Sequence, residues 1–104
     1  MSYSAKPGQR VKVVISKADD GAAAFKDDTQ FVKANFQQSQ SGGFIMANEA
    51  VQIKLEIWNW TGGWYGARFA LFIDNKNVDN FIVDEGPALP APVAWKKVFV
   101  IEPR

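Results

Sequence analysis

Histidine and cysteine are both absent from this sequence, and their absence removes most of the chemistry available to a small protein. Without histidine there is no Ser-His-Asp or Cys-His arrangement for nucleophilic catalysis, and the commonest zinc ligands are missing as well. No disulfide framework exists, so a hydrophobic core alone has to stabilise the fold. We therefore expect a protein that is not an enzyme, that has no catalytic or metal-binding residues, and that needs no cofactor.

Carboxylates are the remaining route to catalysis or metal binding, and their spacing supports neither. Glu56 with Asp84 or Glu85 is a formal glycosidase pair, but a sheet protein of 104 residues rarely supplies the cleft that such a pair needs. Asp19-Asp20 and Asp27-Asp28 lack the fixed spacing of a calcium loop and are typical of solvated surface turns. No glycine-rich phosphate loop occurs, which excludes the usual nucleotide-binding motifs.

The chain also lacks a strong charge of either sign and any long apolar run. Twelve basic and eleven acidic residues leave a formal net charge of +1, and no segment concentrates lysine and arginine, so nucleic acid is not an expected partner. Met1 to Ser16 lacks the apolar stretch of a signal peptide, and no run has the length of a transmembrane helix. We expect synthesis in the cytoplasm, with secretion by a route without a signal peptide left open.

Alternation of apolar and polar residues is the pattern that dominates the chain. Val51 to Ile57 and Gln9 to Ser16 alternate with a period of two residues, as half-buried strands do, and no segment shows helical periodicity. Short patterns of this kind recur between turn-rich segments along one domain, residues 1–104. The sequence therefore predicts an all-β fold, a single-domain antiparallel β-sandwich of about six to eight short strands with jelly-roll-like or Greek-key connections.

Four segments between the strong patterns are predicted as connections. Met1 to Gly8 is expected to be an arm that leads into the first strand. Lys17 to Thr29 contains an Asp-Asp-Gly turn and three alanines, which predicts a surface loop. Asp74 to Asn77 predicts a tight turn, because asparagine tolerates left-handed geometry. Gly86 to Pro92 contains three prolines, which excludes a central strand and favours a long crossover at an edge or end.

Two strong strand patterns flank the segment Thr61-Gly62-Gly63. Val51 to Ile57 and Tyr65 to Ile73 both carry their apolar residues at odd positions. A two-residue loop between them would set the charged side of one strand on the apolar side of the other. A three-residue loop with a left-handed glycine brings the two apolar sides together. The sequence therefore predicts a hairpin in which Trp60 pairs with Trp64 and Trp58 with Gly66.

The outer face of that predicted hairpin gathers three of the four tryptophans. The same register pairs the carboxylate of Glu56 with the guanidinium of Arg68 beside them. The apolar face of a sugar ring stacks on indole, and its hydroxyls take hydrogen bonds from charged groups, so this combination suits a carbohydrate. The candidate ligand-binding residues are Glu56, Trp58, Asn59, Trp60, Trp64 and Arg68.

These residues predict a non-catalytic, lectin-like carbohydrate-binding protein whose partner is a glycan or glycoconjugate. Single weak sites become useful when several are presented together, so we expect a homo-oligomer. Three alternatives stay open for the tryptophan face. It is covered by another strand or sheet, it is a subunit interface of a structural or interaction module, or it meets lipid headgroups in a membrane-surface or toxin-like protein.

Most of the other aromatic side chains are predicted to fill the core. Phe72 is the exception, because the predicted hairpin places it on the tryptophan side. The predicted core aromatics are Phe25, Phe31, Phe36, Phe44, Phe69, Phe81, Phe99 and Trp95.

Overall fold

The computed structural model describes residues 2–104, and across that range it contains nine strands and no helix. Within the same range, therefore, no helix is available that could cross a membrane. The all-β prediction is confirmed, although nine strands exceed the predicted six to eight. The strands are β1 Ser2–Ala5, β2 Arg10–Asp19, β3 Gly21–Lys26, β4 Thr29–Ala34, β5 Gln40–Ile45, β6 Val51–Asn59, β7 Gly63–Ile73, β8 Lys76–Ala88 and β9 Ala91–Pro103.

The strands form two sheets that pack on one another. One sheet has five strands in the order β1-β9-β6-β3-β4, and the other has four in the order β5-β2-β7-β8. These two strand orders contain seven neighbouring pairs. Six of the pairs are antiparallel, and β1 with β9 is parallel. The prediction of a purely antiparallel arrangement is therefore wrong at the edge of the larger sheet.

One apolar core fills the space between the two sheets. The odd-numbered side chains of β6, including Leu55 and Ile57, and those of β7, including Phe69, are buried in it. The Phe69 ring stacks on Trp95 of the opposite sheet at a centroid distance of 5.8 Å. Burial of alternate apolar side chains from both sheets supplies the main driving force for this fold, since no disulfide contributes.

The predicted surface loop from Lys17 to Thr29 is wrong, because the chain forms strand through almost all of it. The side chains of Ala22, Ala23 and Ala24 on β3 are fully buried between β6 and β4. Alanine has a low strand propensity, so the ladders on both sides stabilise this strand rather than its own composition. Asp20 alone separates β2 from β3, although the two strands belong to different sheets.

Two other predicted connections have mixed outcomes. The predicted turn at 74–77 is confirmed as the β7–β8 hairpin, with Asp74 and Asn75 at φ values of 52° and 65°. The proline-rich segment is not a long crossover, because only two residues separate β8 from β9. Pro87 lies within β8, which tolerates it as an edge strand. The predicted N-terminal arm contains β1, and Met1 lies outside the described residues.

A hydrogen bond joins the outer strands of the two sheets. Tyr3 on β1 donates its hydroxyl hydrogen to Oδ2 of Asp79 on β8. Its ring packs edge-on against Phe99 at a centroid distance of 5.1 Å. Burial, followed by the hydrogen bond and the negative charge of Asp79, raises the pKa of Tyr3 well above its ordinary value. The folded protein therefore favours the neutral phenol.

We expect alkaline pH to weaken the fold through Tyr3. Because the folded-state pKa lies above the unfolded value, the contribution of Tyr3 is complete below about pH 10 and is lost as the pH rises through the folded-state pKa. The free energy of unfolding, measured in urea from about pH 8 to about pH 11, should fall more steeply for the wild type than for Tyr3→Phe. The lysines are common to both proteins, so parallel curves would contradict this account.

Candidate functional site

The predicted tryptophan hairpin does not form, because β6 and β7 belong to different sheets. β6 pairs with β3 and β9, whereas β7 pairs with β2 and β8. Glu56 lies opposite Ala23 and Lys96 in its sheet, and Arg68 lies opposite Ile82 in the other. Residues 60–62 therefore connect two sheets across the end of the core instead of closing a hairpin.

The prediction of which side chains on β6 and β7 face the core is correct, although the predicted pairing of the two strands is wrong. The odd-numbered residues of both strands face the core, and the even-numbered residues face away from it. In two packed sheets, however, the two outward directions are opposite. Glu56 and Trp58 consequently lie on the outer face of the larger sheet, whereas Trp64 and Arg68 lie on the outer face of the smaller one. The six predicted ligand-binding residues do not form one site.

Asn59 and Glu56 are engaged in polar contacts within the protein. Asn59 is fully buried, and its Nδ2 donates hydrogen bonds to the carbonyl oxygens of Gly63 at 3.3 Å and Leu89 at 3.5 Å. It ties the start of β7 to the β8–β9 connection and is not available to a ligand. The Glu56 carboxylate is largely buried and lies 3.5 Å from Nζ of Lys54, in an ion pair along the same strand.

Trp58 and Trp60 form a separate aromatic pair at the end of β6. Their ring centroids are 6.1 Å apart and the planes are tilted by 37°. Trp58 packs on Gly21 so closely that a Cβ there would lie 2.8 Å from its ring, and Nζ of Lys33 lies 5.4 Å from the ring centroid. Trp58 is therefore covered by the sheet and by a cation, whereas Trp60 remains exposed.

A cleft of about 600 Å³ lies on the outer side of the smaller sheet. This volume is within the usual range of small-molecule sites. The cleft brings together Trp64 and Arg68 of the predicted residues, and the Trp64 side chain is 61% exposed. The lining residues are Lys17, Asp19, Gln37, Trp64, Tyr65, Gly66, Ala67, Arg68, Ile82, Val83 and Asp84.

Gly66 and an irregularity in β2 leave room for this cleft. Gly66 stands between Trp64 and Arg68 on the outward side of β7, and a Cβ there would lie 2.3 Å from the carbonyl oxygen of Val83. The register of β2 against β7 shifts between Ser16 and Asp19. Such a bulge bends the strand and redirects its side chains. The glycine therefore provides a position without a side chain, and the bulge brings β2 residues to the edge of the cleft.

The backbone that carries Trp64 is held firmly by β8. Gly86 has a φ of 131°, and a Cβ there would lie 2.8 Å from the Cα of Trp64, so glycine is required on both counts. Next to Trp64, the Tyr65 hydroxyl donates to Oε2 of Glu85 at 2.8 Å, and this bond, followed by burial and the Glu85 charge, raises the pKa of Tyr65. The exposed indole thus stands on a rigid support.

The polar groups of the cleft combine hydrogen-bond donors and acceptors. Arg68 and Lys17 supply donors only, Asp84 supplies acceptors, and the Gln37 amide supplies both. Burial, followed by the charge of Asp20 and a hydrogen bond with it, raises the pKa of Asp19. Asp19 therefore holds a proton more readily than a free aspartate does. An exposed indole surrounded by such groups suits a ligand with an apolar face and several hydroxyls.

Sequence reasoning missed Lys17, Asp19, Gln37 and Asp84 as parts of one site. The first two were placed in the predicted surface loop, so no register linked them to β7. Asp84 was considered only as a formal glycosidase partner of Glu56, and that pairing is wrong because the two carboxylates lie on different sheets. Gly66 was the available signal, since a glycine inside a strong strand pattern often marks a bulge or a close approach.

No protein-family model, no curated protein and no solved structure matches the chain. Within residues 2–104, no group of three or more aspartate or glutamate side chains is arranged to hold a metal ion.

Replacing Gly66 by alanine should distort the cleft and weaken the fold. The added Cβ collides with the backbone of β8, which cannot move without breaking the ladder, so we expect a loss of about 1–3 kcal/mol in the free energy of unfolding. Urea denaturation measures this loss, with Gln52→Ala, at an exposed position of the other sheet, as the control. An unchanged unfolding midpoint for Gly66→Ala would contradict the close approach of β7 and β8.

Proposed function

We propose that this protein is a non-catalytic, lectin-like carbohydrate-binding protein whose site is the cleft of the smaller sheet. The observation that carries the proposal is the exposed Trp64 indole beside Arg68 and Asp84, with no side chain at Gly66 between them. The C–H face of a sugar ring stacks on such an indole, and the cleft of about 600 Å³ has room for the ring. Glu56, Trp58, Asn59 and Trp60 take no part in this site.

Each polar group in the cleft has a role toward a sugar hydroxyl. Arg68 and Lys17 donate hydrogen bonds to hydroxyl oxygens, and Asp84 accepts from hydroxyl hydrogens. Charge-assisted hydrogen bonds of this kind are stronger than neutral ones and fix the orientation of the ring. The raised pKa of Asp19 allows its carboxyl group to act as a donor in its protonated form and as an acceptor in its ionised form.

The architecture that we propose is a β-sandwich with jelly-roll-like or Greek-key connections. Six connections support it, because they pass from one sheet to the other instead of joining neighbours in the same sheet. We further propose that the protein acts as a homo-oligomer, since several sites presented together bind a multivalent glycan more tightly than one site does. The edge strand β8, which exposes Val78 and Ile82, supports an association between copies.

Glycoside hydrolysis is the second candidate function, and the shared cleft of Asp19 and Asp84 favours it. A carboxyl group with a raised pKa near a second carboxyl group is the usual arrangement of glycosidases. We nevertheless propose binding without cleavage, because a sheet protein of 104 residues rarely supplies the enclosing cleft that a glycosidase pair needs. A bound oligosaccharide should therefore remain intact after prolonged incubation, and the release of new reducing ends would make the protein an enzyme.

A glycan array with labelled wild-type protein and two tryptophan variants tests the proposal. We expect selective binding by the wild type and a loss of affinity of about tenfold or more in Trp64→Ala, which corresponds to about 1.4 kcal/mol for the lost stacking. Trp60→Ala is the matched control, because its indole is equally exposed but lies outside the cleft. Circular dichroism first establishes that each variant is folded.

Absence of binding by the wild type across the array would remove the carbohydrate proposal. Equal losses of glycan affinity in Trp64→Ala and Trp60→Ala would mean that the glycan does not bind in the cleft. Arg68→Lys adds a further check, because lysine keeps the positive charge but loses the planar, forked donor geometry of arginine. A loss of selectivity among glycans in this variant, with binding retained, would indicate that the guanidinium orients the sugar.

A further inference from the structure

Four connections meet at one end of the molecule, and all four pass between the two sheets. They are residue 20 between β2 and β3, residues 35–39 between β4 and β5, residues 60–62 between β6 and β7, and residues 89–90 between β8 and β9. We call this end the crossover end. The molecule measures 41 × 20 × 19 Å, and its strands reach up to 13 residues, which places the crossover end at one tip of its long axis.

Large apolar side chains protrude from three of these connections. Phe36 is 57% exposed, Trp60 is 59% exposed and Leu89 is 85% exposed. Phe36 was predicted to fill the core, and that prediction is wrong. At the opposite end, the connections are polar or made of small residues apart from the buried Met46, and Ile45 at the end of β5 is the comparable exposed side chain. The exposed large apolar side chains that lie on the described connections are therefore all at this tip, whereas the others, including Val78 and Ile82, lie on strands.

The connections that carry these side chains are fixed by hydrogen bonds. The Asp20 carboxylate accepts from the Thr61 amide at 2.9 Å and from its hydroxyl at 3.2 Å, next to Trp60. The buried Asn59 amide donates to the Leu89 carbonyl oxygen at 3.5 Å. The backbone N–H of Gln37, next to Phe36, donates a hydrogen bond to the carbonyl oxygen of Ala18 at 2.8 Å. The three side chains are thus presented from a preformed backbone, and docking needs little further ordering.

We infer that the crossover end docks on the headgroup layer of a lipid bilayer, with Phe36, Trp60 and Leu89 inserted into it. Three bulky side chains on separate connections leave polar backbone between them, and none of them lines the cleft of the smaller sheet. A protein partner would need a surface shaped to those gaps, whereas a fluid headgroup layer closes around separate side chains. Tryptophan is also the residue type that favours the boundary between water and hydrocarbon.

The charges near the tip fit the same partner. Lys17 near the end of β2 and Lys33 near the end of β4 supply ammonium groups at this end. Asp19 and Asp20 next to β3, and Asp84 and Glu85 on β8, supply carboxylates at the same end. Groups of both signs beside the inserted residues complement a zwitterionic headgroup, whose phosphate accepts hydrogen bonds from the ammonium groups and whose own cation lies near the carboxylates. Lys17, Asp19 and Asp84 also line the cleft, but the three inserted side chains lie outside it.

Vesicle flotation tests the inference with lipids that carry no sugar. The probe is a vesicle of phosphatidylcholine, whose headgroup carries both a phosphate and a quaternary ammonium group. We expect the wild-type protein to float with these vesicles and the double variant Trp60→Ala, Leu89→Ala to show a partition coefficient about a hundredfold lower, or about tenfold for each truncated side chain. Ile45→Ala is the matched control, because Ile45 is 57% exposed at the opposite end, and its partition should equal that of the wild type.

Three outcomes would overturn the inference. The wild type fails to float, the folded double variant floats as well as the wild type, or Ile45→Ala loses as much binding as the double variant. Light scattering without vesicles adds one more comparison. If the wild type does not float and only the double variant loses oligomeric mass, the crossover end is an interface between copies of this chain. A failed flotation leaves the glycan-array result unaffected, because Trp64 and Arg68 are intact in these variants.

Discussion

The packing of β6 against β7 across the core is the contact on which the arrangement of both outer faces depends. The two strands are consecutive in the chain, and only residues 60–62 separate them. Both bury their odd-numbered side chains in the same core, Ile57 from one side and Phe69 from the other. Their even-numbered side chains must therefore point away from the core in opposite directions, each on the outer face of its own sheet. This constraint separates Trp58 from Trp64 and leaves each on a surface with different neighbours.

Short connections explain why bulky side chains remain exposed at the crossover end. A connection of one to five residues that spans the thickness of two sheets has no slack with which to fold a side chain back onto the core. Asn59 already fills the interior at this point, and its side-chain amide donates hydrogen bonds to the carbonyl oxygens of Gly63 and Leu89. Phe36, Trp60 and Leu89 are left outside for the same reason. Their exposure is thus built into the topology and does not result from loose loops.

Sequence reasoning predicted the all-β class, the inward side of β6 and β7, and the turn at Asp74 and Asn75, because each of these depends on local periodicity or turn chemistry. The pairing was beyond its reach, since a hairpin and a connection between sheets place the same residues inward with the same loop length. β3 was missed because three buried alanines carry no strand pattern. Of the candidate site, only Trp64 and Arg68 were predicted. Lys17 and Asp19 reach the cleft through the β2 bulge, Gln37 through the β4–β5 connection and Asp84 through the pairing of β8 with β7, and all three features depend on tertiary packing.

The two proposed surfaces are close enough to act on one ligand. Trp64 is the second residue of β7, at the crossover end, and Arg68 lies four residues further along the strand, or roughly 13 Å at the rise of an extended chain. If both proposals hold, a molecule docked end-on holds its cleft just above the headgroups, where sugars attached to membrane lipids or proteins extend. The second contact is then intramolecular, so a vesicle that carries the glycan binds more tightly than either the free glycan or the bare vesicle. Weak sites of this size become effective in that arrangement, even for a single chain.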